Sequence, residues 1–137
     1  MYKVRKVKYI CTMKKIINTT KAPAPIGPYS QAVLIKDMLF VSGQVAFEPS
    51  TGKLITINII KETNQVMNNI LQILKEAEMD FSNVVKTTIY LTDMNNFSSV
   101  NEVYSTYFKK KFPARETVEV SKLPKEVNVE ISVIAVR

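Results

Sequence analysis

The longest regular pattern in the chain is helical. Ile59, Ile60, Thr63, Val66, Met67, Ile70, Leu71, Ile73, Leu74 and Ala77 recur three and four residues apart. That spacing predicts an amphipathic helix over about 58–79 with one broad buried face. Phe97, Val100, Val103, Tyr104, Tyr107 and Phe108 repeat it and predict a second helix over 95–110. The other apolar residues fall in short β-branched or alternating runs. Segments 14–18, 30–35, 38–42, 84–91, 116–120 and 127–136 read as strands. Lys36-Asp37 is a hairpin turn, 49–53 a turn cluster, and 122–125 the turn joining the last two strands. Ala22-Pro23-Ala24-Pro25-Ile26-Gly27-Pro28-Tyr29 holds too much Pro and Gly for helix or central strand, so it reads as an extended loop.

This order predicts an α+β sandwich, a mixed β-sheet with two helices on one face. The last strand says something about the other face. Val127, Val129, Ile131, Val133 and Ala135 share one side, while Asn128, Glu130, Ser132, Ile134 and Val136 share the other. Both sides carry apolar groups, so helices on one face leave an apolar surface that self-association normally buries. A homo-oligomer is expected. No repeat or linker divides the chain, which reads as one domain over 14–137 behind a basic extension over 1–13.

Composition narrows the chemistry. At 137 residues a single core suffices without a metal or disulfide, and the one cysteine, Cys11, cannot form an internal bridge. Cys11 lies in the extension with no base to activate it. The chain has no histidine. That excludes Ser-His-Asp and Cys-His catalysis, histidine-ligated zinc and paired-histidine ribonuclease chemistry. The net charge of +7 suggests nucleic acid until it is placed. Residues 1–15 carry six basic side chains (Lys3, Arg5, Lys6, Lys8, Lys14, Lys15) and no acid, whereas 16–137 carry 13 basic and 12 acidic ones. The body is nearly neutral, which argues against a nucleic-acid partner beyond weak contact through the extension. Lys109-Lys110-Lys111 suits a solvated helix end. No apolar run approaches the ~20 residues of a membrane span. The extension has no signal-peptide core and no serine, so a cytoplasmic location is expected, with organelle targeting left open.

Without histidine, two residues draw the chemistry. Arginine occurs three times against sixteen lysines, and Arg115 stands apart from the two near the ends, after Phe112-Pro113-Ala114. It reads either as a structural ion-pair partner or as a planar clamp for a substrate carboxylate. Glu130 interrupts an apolar strand. It is either a solvent-facing residue or a carboxylate of raised pKa serving as general base. Ser42-Gly43 closes a strand and allows a ligand close to the main chain, although Ser-Gly is also a plain turn. Tyr29, after the stiff loop, is either packing or a pocket wall.

Several ordered segments resemble the RidA/YjgF family, also labelled L-PSP or reactive-intermediate deaminases. They are Ala24-Pro25-Ile26-Gly27-Pro28-Tyr29-Ser30-Gln31-Ala32, Phe40-Val41-Ser42-Gly43-Gln44, Val84-Val85-Lys86-Thr87-Thr88-Ile89-Tyr90-Leu91, Phe112-Pro113-Ala114-Arg115, and Leu123-Pro124-Lys125 through Val129-Glu130-Ile131 to Ile134-Ala135-Val136. The resemblance implies a chorismate-mutase-like fold and a homotrimer with sites between subunits. It also implies cofactor-free and metal-free hydrolysis of 2-imino acids and their 2-enamino tautomers, such as 2-aminoacrylate, to 2-keto acids and ammonia. By the same resemblance Arg115 binds the substrate carboxylate and Glu130 handles the water. Tyr29, Ser42, Gly43, Asn101 and Thr117 complete the pocket. Many members carry Cys where Thr117 stands, so a thiol role is lost while a backbone role survives. Segment 107–112 looks shorter than in some relatives. Two other readings stay open: a non-catalytic trimer that binds a small metabolite or acts as a chaperone, and an endoribonuclease of the L-PSP type.

Overall fold

Six strands form one mixed sheet in the computed structural model, which describes residues 13–137. Cys11 and the basic residues Lys3, Arg5, Lys6 and Lys8 lie outside the described residues. The strands are β1 (Lys15–Ile17), β2 (Ala32–Ile35), β3 (Met38–Gln44), β4 (Val84–Leu91), β5 (Ala114–Glu119) and β6 (Val129–Val136). Their order across the sheet is β1-β2-β3-β6-β4-β5. Only β4 and β5 run parallel, joined by α2 (Phe97–Thr106), because a parallel pair needs a crossover. The other helix, α1 (Ile59–Glu76), lies against β3 and β6 and beside α2. The core sits between these helices and the sheet: Val66, Met67, Ile70, Ile73 and Leu74 of α1 meet Leu39, Ile89, Val129 and Ile131 from the strands. The α+β expectation is met. Among the described residues, no helix is long and apolar enough to cross a membrane.

Both helices are shorter than their apolar periodicity. Asn58 caps α1, its side-chain oxygen accepting from the Lys61 amide at 2.9 Å. The helix stops at Glu76 rather than near 79 because Glu78 turns left-handed, φ 58°, and the Met79 amide folds back to the Leu74 carbonyl at 2.9 Å. Segment 95–110 divides into a 3₁₀ turn, Met94–Asn96, capped by Asp93, and α2 proper. Phe108 keeps the spacing but leaves the helix. Its ring packs against Phe81 at 5.2 Å and Tyr104 at 4.7 Å between centroids, a tertiary contact that overrides local propensity.

Alternation in β6 fixes the two faces of the sheet. Val129, Ile131, Val133 and Ala135 are buried beneath the helices, and Glu130, Ser132, Ile134 and Val136 are half-buried on the open side. Pairing continues that open side sideways: Ile134 opposes Phe40, Phe40 opposes Val33, and Val33 opposes Ile16. Met38 and Phe40 are 42% and 41% exposed, so the open face carries the apolar band that the sequence predicts.

Strand β3 is irregular near its C-terminal end. Val41 pairs with Val133 and Gln44 with Ile131, so Ser42 and Gly43 together oppose Ser132 alone. This β-bulge keeps the Gln44 side chain on the buried face and leaves Ser42 and Gly43 half-buried.

Candidate active site

The proline-rich loop is held by one buried amide. The Gln31 side chain accepts from the Thr19 amide at 2.7 Å and donates to the Thr19 and Pro23 carbonyls at 3.0 and 2.9 Å. A loop rich in proline has few amides of its own to satisfy such carbonyls, so the side chain supplies the donors. Tyr29 follows, half-exposed, its amide bonded to the Gly27 carbonyl at 2.8 Å. The Ser42 hydroxyl donates to the Ser30 carbonyl at 2.7 Å, tying the bulge to the loop. Together Tyr29, Ser42, Gly43, Lys125 and Glu130 line an open cleft of about 340 Å³. Lys125 reaches it from a 3₁₀ turn, Pro124–Glu126, in which Lys125 and Glu126 both take left-handed backbone, φ 59° and 56°. This turn occupies the predicted 122–125 connection.

Glu130 lies directly over Gly43. A Cβ added at Gly43 would overlap Oε1 of Glu130 and stand 2.8 Å from its Cδ. The bulge glycine therefore leaves the room the carboxyl group fills. Among the described residues no ion pair reaches Glu130. Burial pushes its carboxyl above the ordinary glutamate range. A proton bound more tightly in the folded chain than in the unfolded one stabilises folding below the ordinary glutamate pKa. That contribution is lost as pH rises through the raised folded-state value. Glu130→Gln cannot ionise. It is expected to melt roughly 2 °C or more above wild type at about pH 8 and level with it at about pH 4, by calorimetry. A variant that melts lower at the higher pH would mean that a cation from outside the chain pairs with the carboxylate in solution.

Arg115 sits elsewhere. Strand β5 starts at Ala114, earlier than the predicted 116, so Arg115 is a strand residue whose orientation the ladder fixes. It pairs with Thr87 and Thr87 with Val133, both buried beneath the helices. Its guanidinium donates from Nη1 to Asn101 Oδ1 at 2.7 Å and lies 5.0 Å from the Tyr104 ring centroid and 5.7 Å from that of Phe97. Among the described residues it makes no ion pair, and its hydrogen-bond partner is a neutral amide. Cation–π contact and one amide hold its direction while the charge stays available to an anion. Tyr104 also donates its hydroxyl to Thr87 at 3.1 Å. Burial raises its phenol pKa, opposed by the Thr87 bond and by the Arg115 charge. Asn101, Tyr104, Pro113 and Arg115 border a second cleft of about 440 Å³. Thr117, two residues on, has a buried hydroxyl with no hydrogen-bond partner.

The predicted site residues thus form two groups. Tyr29, Ser42, Gly43 and Glu130 come together, and so do Arg115 and Asn101. The chain does not join the groups. Glu130 pairs with Tyr90 and Tyr90 with Val118 on the open face, whereas Arg115 and Thr117 pair with Thr87 and Ile89 on the helix face. In-register neighbours point to the same side of a sheet, so the guanidinium and the carboxylate belong to opposite faces. The aromatic bed beneath Arg115 had a sequence signal. Phe97, Asn101 and Tyr104 stand four and three residues apart on one helical face, but the two rings merge into the apolar stripe there.

The Endoribonuclease L-PSP family model matches residues 19–137. The mouse protein named 2-iminobutanoate/2-iminopropanoate deaminase is 50% identical over 125 residues, spanning 91% of this chain and 93% of the mouse protein. Among solved structures, a Yersinia pestis protein of the conserved Rid family, YyfA, superposes with TM-score 0.89 at 49% identity, covering 91% of this chain and all of that one. The structure of Escherichia coli TdcF with bound serine superposes with TM-score 0.86 at 38% identity, covering 90% and 98%. The chain belongs to the RidA/YjgF family, whose family model carries the L-PSP endoribonuclease description.

Proposed function

We propose that this chain is a 2-iminobutanoate/2-iminopropanoate deaminase. It hydrolyses 2-imino acids and their 2-enamino tautomers, 2-aminoacrylate included, to 2-keto acids and ammonia. Identity of about half with the mouse deaminase across nearly the whole chain supports the activity. The observation that carries the arrangement is the placement of Arg115 and Glu130 on opposite faces of one sheet. One small substrate cannot touch both within a chain. A second copy can bring its Arg115 group to the first copy's Glu130 cleft, and the open apolar face gives copies a reason to associate. The proposed assembly is a homotrimer of chorismate-mutase-like domains with its sites between subunits. The domain spans 14–137, residues 1–13 stand outside it, and the reading carries a cytoplasmic location and no cofactor.

In the proposed site Arg115, aimed by Asn101 and the two rings, binds the substrate carboxylate. Tyr29, Ser42, Gly43 and the Thr117 backbone enclose the rest. A protonated imine carbon is already electrophilic, so orientation and one proton carrier suffice. Water attacks C2 as Glu130 takes its proton, the C=N π electrons move to nitrogen, and a 2-amino-2-hydroxy acid forms. Glu130 returns the proton to the amine. The C–N bond breaks as the 2-hydroxyl passes its proton to the Glu130 carboxylate and the keto acid forms, and ammonia takes that proton and leaves as ammonium. A carboxyl group whose burial raises its proton affinity suits both transfers near neutral pH.

The test generates 2-aminoacrylate from serine with a dehydratase and traps it with semicarbazide. Wild type is expected to divert the intermediate to pyruvate and lower the trapped fraction, with Arg115→Ala and Glu130→Gln losing roughly 100-fold or more in rate. Trapping unchanged by wild type across several amino-acid precursors would replace this reading with the non-catalytic binder. Cleavage of RNA that survives deletion of 1–13 would favour the endoribonuclease.

A further inference from the structure

Helix α1 buries three polar side chains, and two of them, Glu62 and Asn69, bond outside the helix. Glu62 and Asn69, seven residues apart and so two turns apart on one side, are both 0% exposed. Each grips backbone rather than another helix. Glu62 accepts from the Asn128 amide through Oε1 at 2.7 Å and from Asn128 Nδ2 through Oε2 at 2.9 Å. Asn69 Nδ2 donates to the Val45 and Phe47 carbonyls at 3.0 and 2.9 Å, and Gln65 Nε2 steadies Asn69 by donating to its Oδ1 at 2.9 Å. Asn128 is two residues before Glu130, and Val45 is two residues after Gly43. The same helix therefore holds the segment just before β6 and the segment just after β3, next to the carboxyl group and the glycine.

Burying a carboxylate and an amide is costly unless they are paired, and here the pairing satisfies the Asn128 amide and the Val45 and Phe47 carbonyls. What polar groups add here is directional: two fixed lengths from one rigid rod to two backbones. We propose that Glu62 and Asn69 are positioning residues for the reaction, setting the approach of Glu130 to Gly43 from the opposite side of the sheet. This rests on the deaminase reading for its kinetic test but not for its spectroscopic one.

The variants are Glu62→Gln, whose amide oxygen can accept where the carboxylate did but whose nitrogen faces a donor of Asn128, and Asn69→Ala. Thr63→Val is the control. Thr63 is equally buried on α1, but its hydroxyl donates within the helix, to the Ile59 carbonyl at 2.7 Å. Glu62→Gln and Asn69→Ala are expected to lower kcat about tenfold or more with KM within about twofold, whereas Thr63→Val lowers the melting temperature and leaves kcat alone. The carboxyl carbon of Glu130, followed by NMR against pH, reads position without turnover. Tyr90 on β4, Tyr29 from the loop and Lys125 from the turn, with Arg115 of the next copy in the proposed assembly, are the titratable and charged groups around Glu130, and all are retained in these variants. Its midpoint is expected to fall by roughly half a unit in Asn69→Ala as the carboxyl group gains water. A kcat that follows melting temperature alike in all three variants, or a midpoint unmoved in Asn69→Ala, would overturn the proposal. If wild type turns over no imine, the deaminase reading fails while the NMR titration still decides this one.

Discussion

Arg115→Ala and Glu130→Gln chains, each inactive alone, are expected to regain about a quarter of wild-type turnover when unfolded together in equal amounts and refolded. In the proposed assembly each site takes a Glu130 cleft from one copy and an Arg115 group from the next. A homogeneous variant spoils every site. In a random mixture half the clefts and half the guanidinium groups are intact, and they meet by chance. The gain is large because the single variants start so low. Losing a guanidinium directed by Asn101 and flanked by two rings removes the proposed anchor for the substrate carboxylate. The readout is pyruvate formed from 2-aminoacrylate, with each variant refolded alone as the baseline. Failure to regain activity, with both proteins folded and mixed assemblies confirmed by mass, would place the two groups in separate sites and remove the shared-site arrangement.

Gly43→Ala is expected to reduce kcat by about 100-fold or more while destabilising the fold by only about 1–3 kcal/mol. The added methyl overlaps the Glu130 carboxyl oxygen, and its Cδ lies only 2.8 Å away. Either the carboxyl group swings out of the cleft or the bulge backbone retreats. In the proposed mechanism both outcomes displace the proton carrier from the water, and neither disturbs Leu39, Val41 or Gln44, which face the core. Steady-state kinetics beside calorimetry separates the effects. A Gly43→Ala enzyme with near-native kcat would mean that the site tolerates a shifted carboxyl group, and the role given to Glu130 would have to change.

Much of the fold was legible in the residues. Alternation along 127–136 already placed Glu130 away from the core, and the long repeat from Ile59 announced α1 because an 18-residue amphipathic helix overdetermines its own period. The two-residue Lys36-Asp37 turn set β2 against β3, with Ile35 opposite Met38. What stayed hidden depends on partners distant in sequence. The face on which Arg115 lies is set by pairing with Thr87 across a parallel crossover, which no local pattern encodes. The bulge at Ser42-Gly43 is visible only against β6, since alone the segment reads as an ordinary strand end. The burial of Glu62 needs Asn128, 66 residues away.

The bulge separates two properties that usually travel together. Leu39, Val41 and Gln44 supply the packing side of β3, and the extra residue between Val41 and Gln44 contributes nothing to that side. A chain one residue shorter there would place Ser42 alone opposite Ser132 and keep the inward phase of the strand intact. It would have a more regular ladder and no gap above Glu130. The core would not register the loss, so folding alone gives no reason to retain the added residue. Chains of this architecture can therefore keep their stability while the notch over the carboxylate disappears. Whether two residues or one face Ser132 is then a sharper mark of the proposed site than the soundness of the fold.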